Sequence, residues 1–323
     1  MLFRAIASIL GCIFFWVFSP VSHAQRPDDC HSHWRPVVSF VEFESIDVSQ
    51  EDPSPLTVKA KLKLPVRYGY GWRKRCFVPK KNVSAVVILH GSAGVDFRGE
   101  FYTRALNAAG IATLEIDMWE ARGVTGPTDR PRLPIVTYPD AFAALKFLST
   151  HDNIDPDRIG VMGFSWGAVI TMASAEELYA EQFGDGLRFA AHVAHYPVCY
   201  AYNNPIGPLN PPAEKGFQFE NLTGAPLLIQ IGTEDDYDNG AGHCFALVED
   251  LDDIDKKVVE IAVYQDAFHG WDRLQVPITV RDPFADEGSF FSTGETPTVE
   301  IAPNPDQAYA SRKRAVKFFR HNL

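Results

Sequence analysis

The chain has 323 residues, 46% of them hydrophobic and 22% charged, with a formal net charge of −11 at pH 7. That balance describes a globular chain and excludes a nucleic-acid binder, which needs a concentrated basic patch. The one tight basic cluster before the C-terminus, Arg73-Lys74-Arg75 followed by Lys80 and Lys81, reads as a solvated loop.

The N-terminus has the build of an export signal. Arg4 precedes the apolar run Ile6 to Phe18, and Ser22-His23-Ala24 supplies a small-x-small cleavage site. The run is short for a membrane span, which needs about 20 residues, and no later segment approaches that length. The expectation is a signal peptide over 1–24 and a single mature domain over 25–323. The product would be periplasmic or secreted, with no stable membrane anchor after cleavage. Export changes the meaning of the cysteines. Cys12 leaves with the signal, and four remain, enough for two disulfides in an oxidising compartment. Their grouping along the chain favours Cys30–Cys76 and Cys199–Cys244. No Cys-x-x-Cys or other metal-ligand spacing occurs, so neither a metal nor a cofactor is expected.

Two alternating stretches, Val37 to Val48 and Leu56 to Leu64, predict an antiparallel edge hairpin with one solvated face. Tyr68 to Lys81 reads as a loop. Short apolar runs then alternate with helical periodicity. The strand candidates are Ser84 to Leu89, Ile111 to Ile116, Ile159 to Met162, Ala190 to Ala194, Leu227 to Ile231 and Val258 to Val263. The helix candidates are Phe101 to Ala109, Tyr138 to Leu148, Trp166 to Tyr179, Phe245 to Leu251 and Gln307 to Phe319. Continuous apolar strands separated by helices predict an α/β fold, with a mostly parallel central sheet covered by helices on both faces. Pro127 to Pro134 and Val280 to Pro305, rich in Pro, Gly, Asp and Thr, read as surface loops.

Three local signals carry chemistry. Gly163-Phe-Ser165-Trp-Gly167 follows a strand and opens an Ala-rich helix, the frame of a nucleophile elbow. There the glycines admit a sharp turn, and the helix N-terminus faces the developing negative charge. His90-Gly-Ser92-Ala-Gly94 ends an earlier strand. An oxyanion needs two convergent backbone donors, assigned here to the Trp166 and Ser92 amides, while His90 is assigned a structural, hydrogen-bonded role. Leu227 to Ile231 is followed by four carboxylates: Glu234, Asp235, Asp236 and Asp238. The strand Val258 to Val263 is followed by His269-Gly-Trp271, which supplies a base.

With these motifs the chain resembles the dienelactone hydrolase family within the α/β-hydrolases, from about Val83 to the C-terminal helix. The resemblance rests on His-Gly-Ser-Ala-Gly, Gly-Phe-Ser-Trp-Gly, Gly-Thr-Glu-Asp and Phe-His-Gly. It implies the α/β-hydrolase fold and the chain order Ser165, Asp235, His269. It also selects Asp235 over Asp236, because the family's aspartate lies three residues after the strand-ending glycine. Where the best-studied members carry a cysteine nucleophile this sequence has serine, so hydrolysis carries over and the dienelactone substrate does not. The implied activity is cleavage of a small-molecule ester or lactone through an acyl-enzyme. Two other readings compete: a non-enzymatic binding protein on the same fold, and a small-peptide or amide hydrolase. For substrate binding, Arg122 sits where family members often carry Arg-Gly. It would hold a substrate carboxylate or pair with Glu115, Asp117 or Glu120. Trp119, Trp166, Tyr237 and Trp271 would line an aromatic mouth.

Overall fold

The computed structural model describes residues 36–70, 75–79, 81–126, 129–202 and 206–323, with 66–70 and 75–79 described through their backbone pairing. The expected signal segment and the Cys30–Cys76 pairing lie outside the described residues.

Eight strands form one sheet: β1 (Val37–Asp47), β2 (Ser54–Leu64), β3 (Val83–Leu89), β4 (Ala112–Asp117), β5 (Ile154–Phe164), β6 (Ala191–His195), β7 (Leu227–Glu234) and β8 (Val259–Phe268). Their order is β1-β2-β4-β3-β5-β6-β7-β8. The β1–β2 hairpin pairs antiparallel along the whole of β1, Val37 opposite Leu64 and Asp47 opposite Ser54, and β2 is antiparallel to β4. Every other pairing in this sheet is parallel. The fold is therefore the expected α/β-hydrolase arrangement, with the alternating N-terminal hairpin on one edge.

The alternation of side chains along β3 divides the core into two. Val86 and Ile88 join one cluster with Phe101, Tyr102 and Leu106 of α1 (Phe97–Ala108) and Phe319 of the C-terminal α6 (Pro305–Asn322). Ala85, Val87 and Leu89 join the other, with Phe142, Leu145 and Leu148 of α2 (Tyr138–Ser149). Such a strand is buried on both faces, which is why it reads as a continuous apolar run. Asp96 caps α1 by accepting the Arg98 amide, and Asn304 caps α6 by accepting that of Gln307, as short polar side chains do at N-termini.

The structure corrects three readings of the sequence. The Tyr68 to Lys81 stretch contains an antiparallel ribbon, Val66–Tyr70 against Arg75–Pro79. The helix expected over Trp166 to Tyr179 is two, α3 (Trp166–Ser174) and α4 (Glu177–Phe183). Between them Glu176 is extended, its carboxylate accepts the Glu220 and Asn221 amides, and the Thr223 amide bonds the Ala175 carbonyl. Those long-range bonds replace the next helical turn. Finally, Val280 to Pro305 is not plain loop: Ile278–Arg281 pairs with Thr298–Ile301.

Cys199 and Cys244 are bonded as expected, 45 residues apart, with Cys244 in α5 (Gly242–Glu249). The bridge ties the loop after β6 to the helix after β7. Closing a loop of that length restricts the unfolded chain by about 2–4 kcal/mol. The double variant Cys199→Ala/Cys244→Ala should lose about that much stability in urea titration relative to the oxidised protein.

Candidate active site

Loops at the C-terminal ends of β3, β5, β7 and β8 build the site. After β5 the chain turns at Ser165, whose φ of 52° and ψ of −111° lie where few side-chain-bearing residues sit. The turn is tight enough to need its glycines. A Cβ on Gly163 would fall 2.0 Å from the Gly167 carbonyl oxygen, and one on Gly167 would fall 2.3 Å from that of Leu89. The Ser165 amide donates to the His195 carbonyl at the end of β6, fixing the turn to the neighbouring strand.

The serine hydroxyl faces His269, with Oγ 2.9 Å from Nε2. On the other side of the ring, Nδ1 lies 2.9 and 3.2 Å from the two Asp235 carboxylate oxygens. Asp235 is fully buried, and its Oδ1 also accepts the Tyr237 amide. The Asp235 turn and the His269 loop reach this geometry because β7 and β8 converge closely, and a Cβ on Gly232 would meet the Ala267 carbonyl at 1.9 Å. Two aromatic rings hold the imidazole by its faces and edge: Tyr237 at 4.3 Å and Tyr196 at 4.7 Å between centroids.

Trp166 is the first residue of α3, so its amide has no acceptor within the helix. Ser92 occupies the turn closed by the Gly94 amide on the Gly91 carbonyl, and it lines the same cleft as Ser165. His90 holds this turn in place. Its Nε2 accepts the Met118 amide at 3.0 Å, and its Nδ1 lies 2.8 Å from the Gly91 carbonyl, which makes Nδ1 the protonated nitrogen. Burial pushes its pKa down to about 4, against the Gly91 carbonyl, which favours the protonated ring.

The expected substrate-side residues separate. Tyr237 lines the cleft. Arg122 does not: it is buried against Asp140 at 2.6 Å, with further bonds to the Met118 and Val136 carbonyls. The pairing alternative had the right kind of contact and the wrong acids, since Glu115 pairs with Lys61 and Glu120 with Lys59. Trp119 lies behind the Gly91–Gly94 turn, donating its indole N–H to the Ser92 carbonyl. Trp271 is fully buried, with its indole on Ser311.

Two features escape a reading of the sequence. One is a buried polar network under His269. Asp272 accepts the Tyr196 and Tyr102 hydroxyls at 2.6 and 2.8 Å, and Arg98 donates to the Tyr196 oxygen while pairing with Asp96. Burial raises the Asp272 pKa, against the pull of Arg98 and the two hydroxyls. The other is Arg130 pairing at 2.8 Å with Asp282, whose carboxylate also accepts the Tyr237 hydroxyl. The cleft itself is a cavity of about 970 Å3, with one wall built by the segment after His269.

A model of the dienelactone hydrolase family matches residues 73–321. No curated protein sequence matches the chain at a significant level. Among solved structures, esterase 2 of Thermogutta terrifontis, phosphorylated by paraoxon, aligns at 15% identity and a TM-score of 0.53, over 86% of this chain and 94% of that one. A Bacteroides ovatus chain assigned as a dipeptidyl aminopeptidase IV aligns at 17% and 0.56, over 89% of this chain but 36% of that one. Dienelactone hydrolase of Anabaena variabilis aligns at 17% and 0.49, over 88% and 99%. At these identities the structural likeness is one of fold.

Two outcomes follow from the packing. Gly163→Ala should cost about 3 kcal/mol or more by denaturant titration, because backbone on both sides must move. His90 is neutral when folded and titrates near 6.5 when unfolded, so its contribution is present above 6.5 and lost as pH falls towards 4. The melting temperature of a His90→Gln variant should therefore fall less steeply than wild type between pH 6.5 and 4.

Proposed function

The chain belongs to the dienelactone hydrolase family, and from that premise we propose that it is an exported serine esterase with Ser165 as nucleophile, His269 as base and Asp235 as orienting acid. The observation that carries the reading is the unbroken path from Ser165 Oγ to His269 Nε2 and from His269 Nδ1 to Asp235, each step at 2.9 Å.

In this reading His269 takes the serine proton as Oγ attacks the ester carbonyl, and buried Asp235 holds the ring with Nδ1 protonated and stabilises its cationic form. The Trp166 and Ser92 amides receive the oxyanion. The tetrahedral intermediate collapses as His269 hands its proton to the departing alcohol oxygen, leaving an acyl-serine. Water, deprotonated by the same imidazole, then releases the acid. The fold supports the same chemistry, since the Thermogutta esterase of like fold is phosphorylated by paraoxon, a reagent for activated nucleophiles. Export is supported by the Cys199–Cys244 bond, a linkage that persists in oxidising compartments, while cleavage after Ala24 and one domain over 25–323 rest on the sequence pattern.

The mature protein should hydrolyse p-nitrophenyl acetate and take up one diethylphosphoryl group from paraoxon at Ser165, read by mass spectrometry. Ser165→Ala should abolish the adduct and lower kcat by roughly 10^4-fold or more, and Asp235→Asn should lower kcat by roughly 10^4-fold. A folded wild-type protein that neither turns over the ester nor takes the adduct would overturn the reading.

A further inference from the structure

The cleft is not one space. Two cavities meet at Ser165, of about 970 and 60 Å3, and they share Ser92, Arg130, Arg132, Tyr237, Asp282 and Phe284 on their walls. His269 and Gly270 line only the larger, whereas Trp166, Val169, Val198, Ala201 and Phe217 line only the smaller. Resting on the serine-esterase reading, we propose that the small cavity is the acyl site and the large one the alcohol site. The substrates are then short-chain acyl esters of a bulky, negatively charged aromatic alcohol.

The assignment of sides follows from the proton. The imidazole that deprotonates Ser165 must protonate the leaving oxygen, so the alcohol departs on the side that His269 lines. The acyl chain turns the other way, past Trp166. The smaller space, about 60 Å3 against about 970 Å3, is the one suited to a short chain. Its wall is built to stay shut. Arg130 is paired with Asp282, the same carboxylate accepts the Tyr237 hydroxyl, and the guanidinium lies 5.6 Å from the Trp166 ring centroid. Phe217 is buried behind it.

The large side has a different chemistry. Phe284, Phe290 and Phe291 line it as a ladder, with successive contacts to Phe291 of 5.3 and 5.4 Å, and Ile278 and Val280 extend the apolar wall. Arg132, Lys215 and Arg281 face the same cavity, and none makes an ion pair among the described residues. Three such cations in a chain of net charge −11 concentrate positive potential where the alcohol lies.

Two substrate ladders test this. With p-nitrophenyl esters, kcat/KM should fall by about 30-fold between propionate and hexanoate, since a rigid pocket rejects added methylenes. Phe217→Ala, or Phe217→Leu if the first variant does not fold, should raise the hexanoate-to-acetate ratio of kcat/KM by about 10-fold. With acetate esters, sulfonated naphthyl should exceed plain naphthyl by about 10-fold at low salt. Lys215→Gln/Arg281→Gln, which alters cations that line the larger cavity alone, should remove most of that preference, and a preference that survives overturns the charge assignment. A flat acyl ladder, or one rising to hexanoate, in a protein that still takes the paraoxon adduct at Ser165 overturns the inference and leaves the esterase reading standing. Loss of the adduct itself overturns the esterase reading.

Discussion

The close backbone approach of β5 to α3 governs the position of every other part of the site. Gly163 and Gly167 touch where any side chain would collide, and the chain is thereby forced through Ser165 at positive φ. That geometry lifts the hydroxyl clear of the sheet and starts a helix directly beneath it. Strain of this kind costs about 1–3 kcal/mol and persists only where the surroundings over-determine it. Here they do, through the Ser165–His195 backbone bond on one flank and the Gly167 contact with Leu89 on the other.

The loops that complete the site are held from behind by polar groups rather than by the sheet. His90 braces the Gly91–Gly94 turn from its own strand end, and Trp119 braces the same turn from the next loop. Under His269, Asp272 gathers two tyrosine hydroxyls with Arg98 nearby, so the His269 loop is anchored three residues after the imidazole. Asp238 does the same for the Asp235 turn. Its carboxylate accepts the Cys199 and Tyr200 amides, and burial together with the neighbouring Asp235 charge pushes its pKa up to about 7. The Asp286 and Glu287 amides donate to the Asp236 and Tyr237 carbonyls, which seats the segment after His269 on that same turn.

Contacts close in sequence were legible, and contacts across it were not. Gly-Phe-Ser-Trp-Gly announces itself because all five residues serve one turn, and Asp235 and His269 follow apolar strands at their C-terminal ends, a position set by the fold. The two-sided burial of β3 to β7 reads directly from their apolar runs. Arg122 shows the limit. Its nearest acids in sequence are Glu115, Asp117 and Glu120, yet it pairs with Asp140 on α2, which only the packing of that helix brings near. Trp271 points into the core although it follows the base by two residues, because Ser311 on α6 offers its indole a partner there. Arg130 and Asp282 are 152 residues apart in two Pro-rich stretches that carry no periodicity. The break between α3 and α4 is likewise decided by backbone partners at 220–223 that no local propensity records.

Of the six tryptophans, Trp119 and Trp166 sit edge to face, 5.3 Å apart. One indole is bonded to the Ser92 carbonyl, and the other follows Ser165 directly in the chain and bonds Thr137. On the proposed reading, a change of charge at Ser165 would act on a coupled pair of chromophores beside it in the chain and the fold. The protein would then carry its own optical probe of the proposed turnover. Stopped-flow emission could time formation and breakdown of the proposed acyl-serine with esters whose products have no colour.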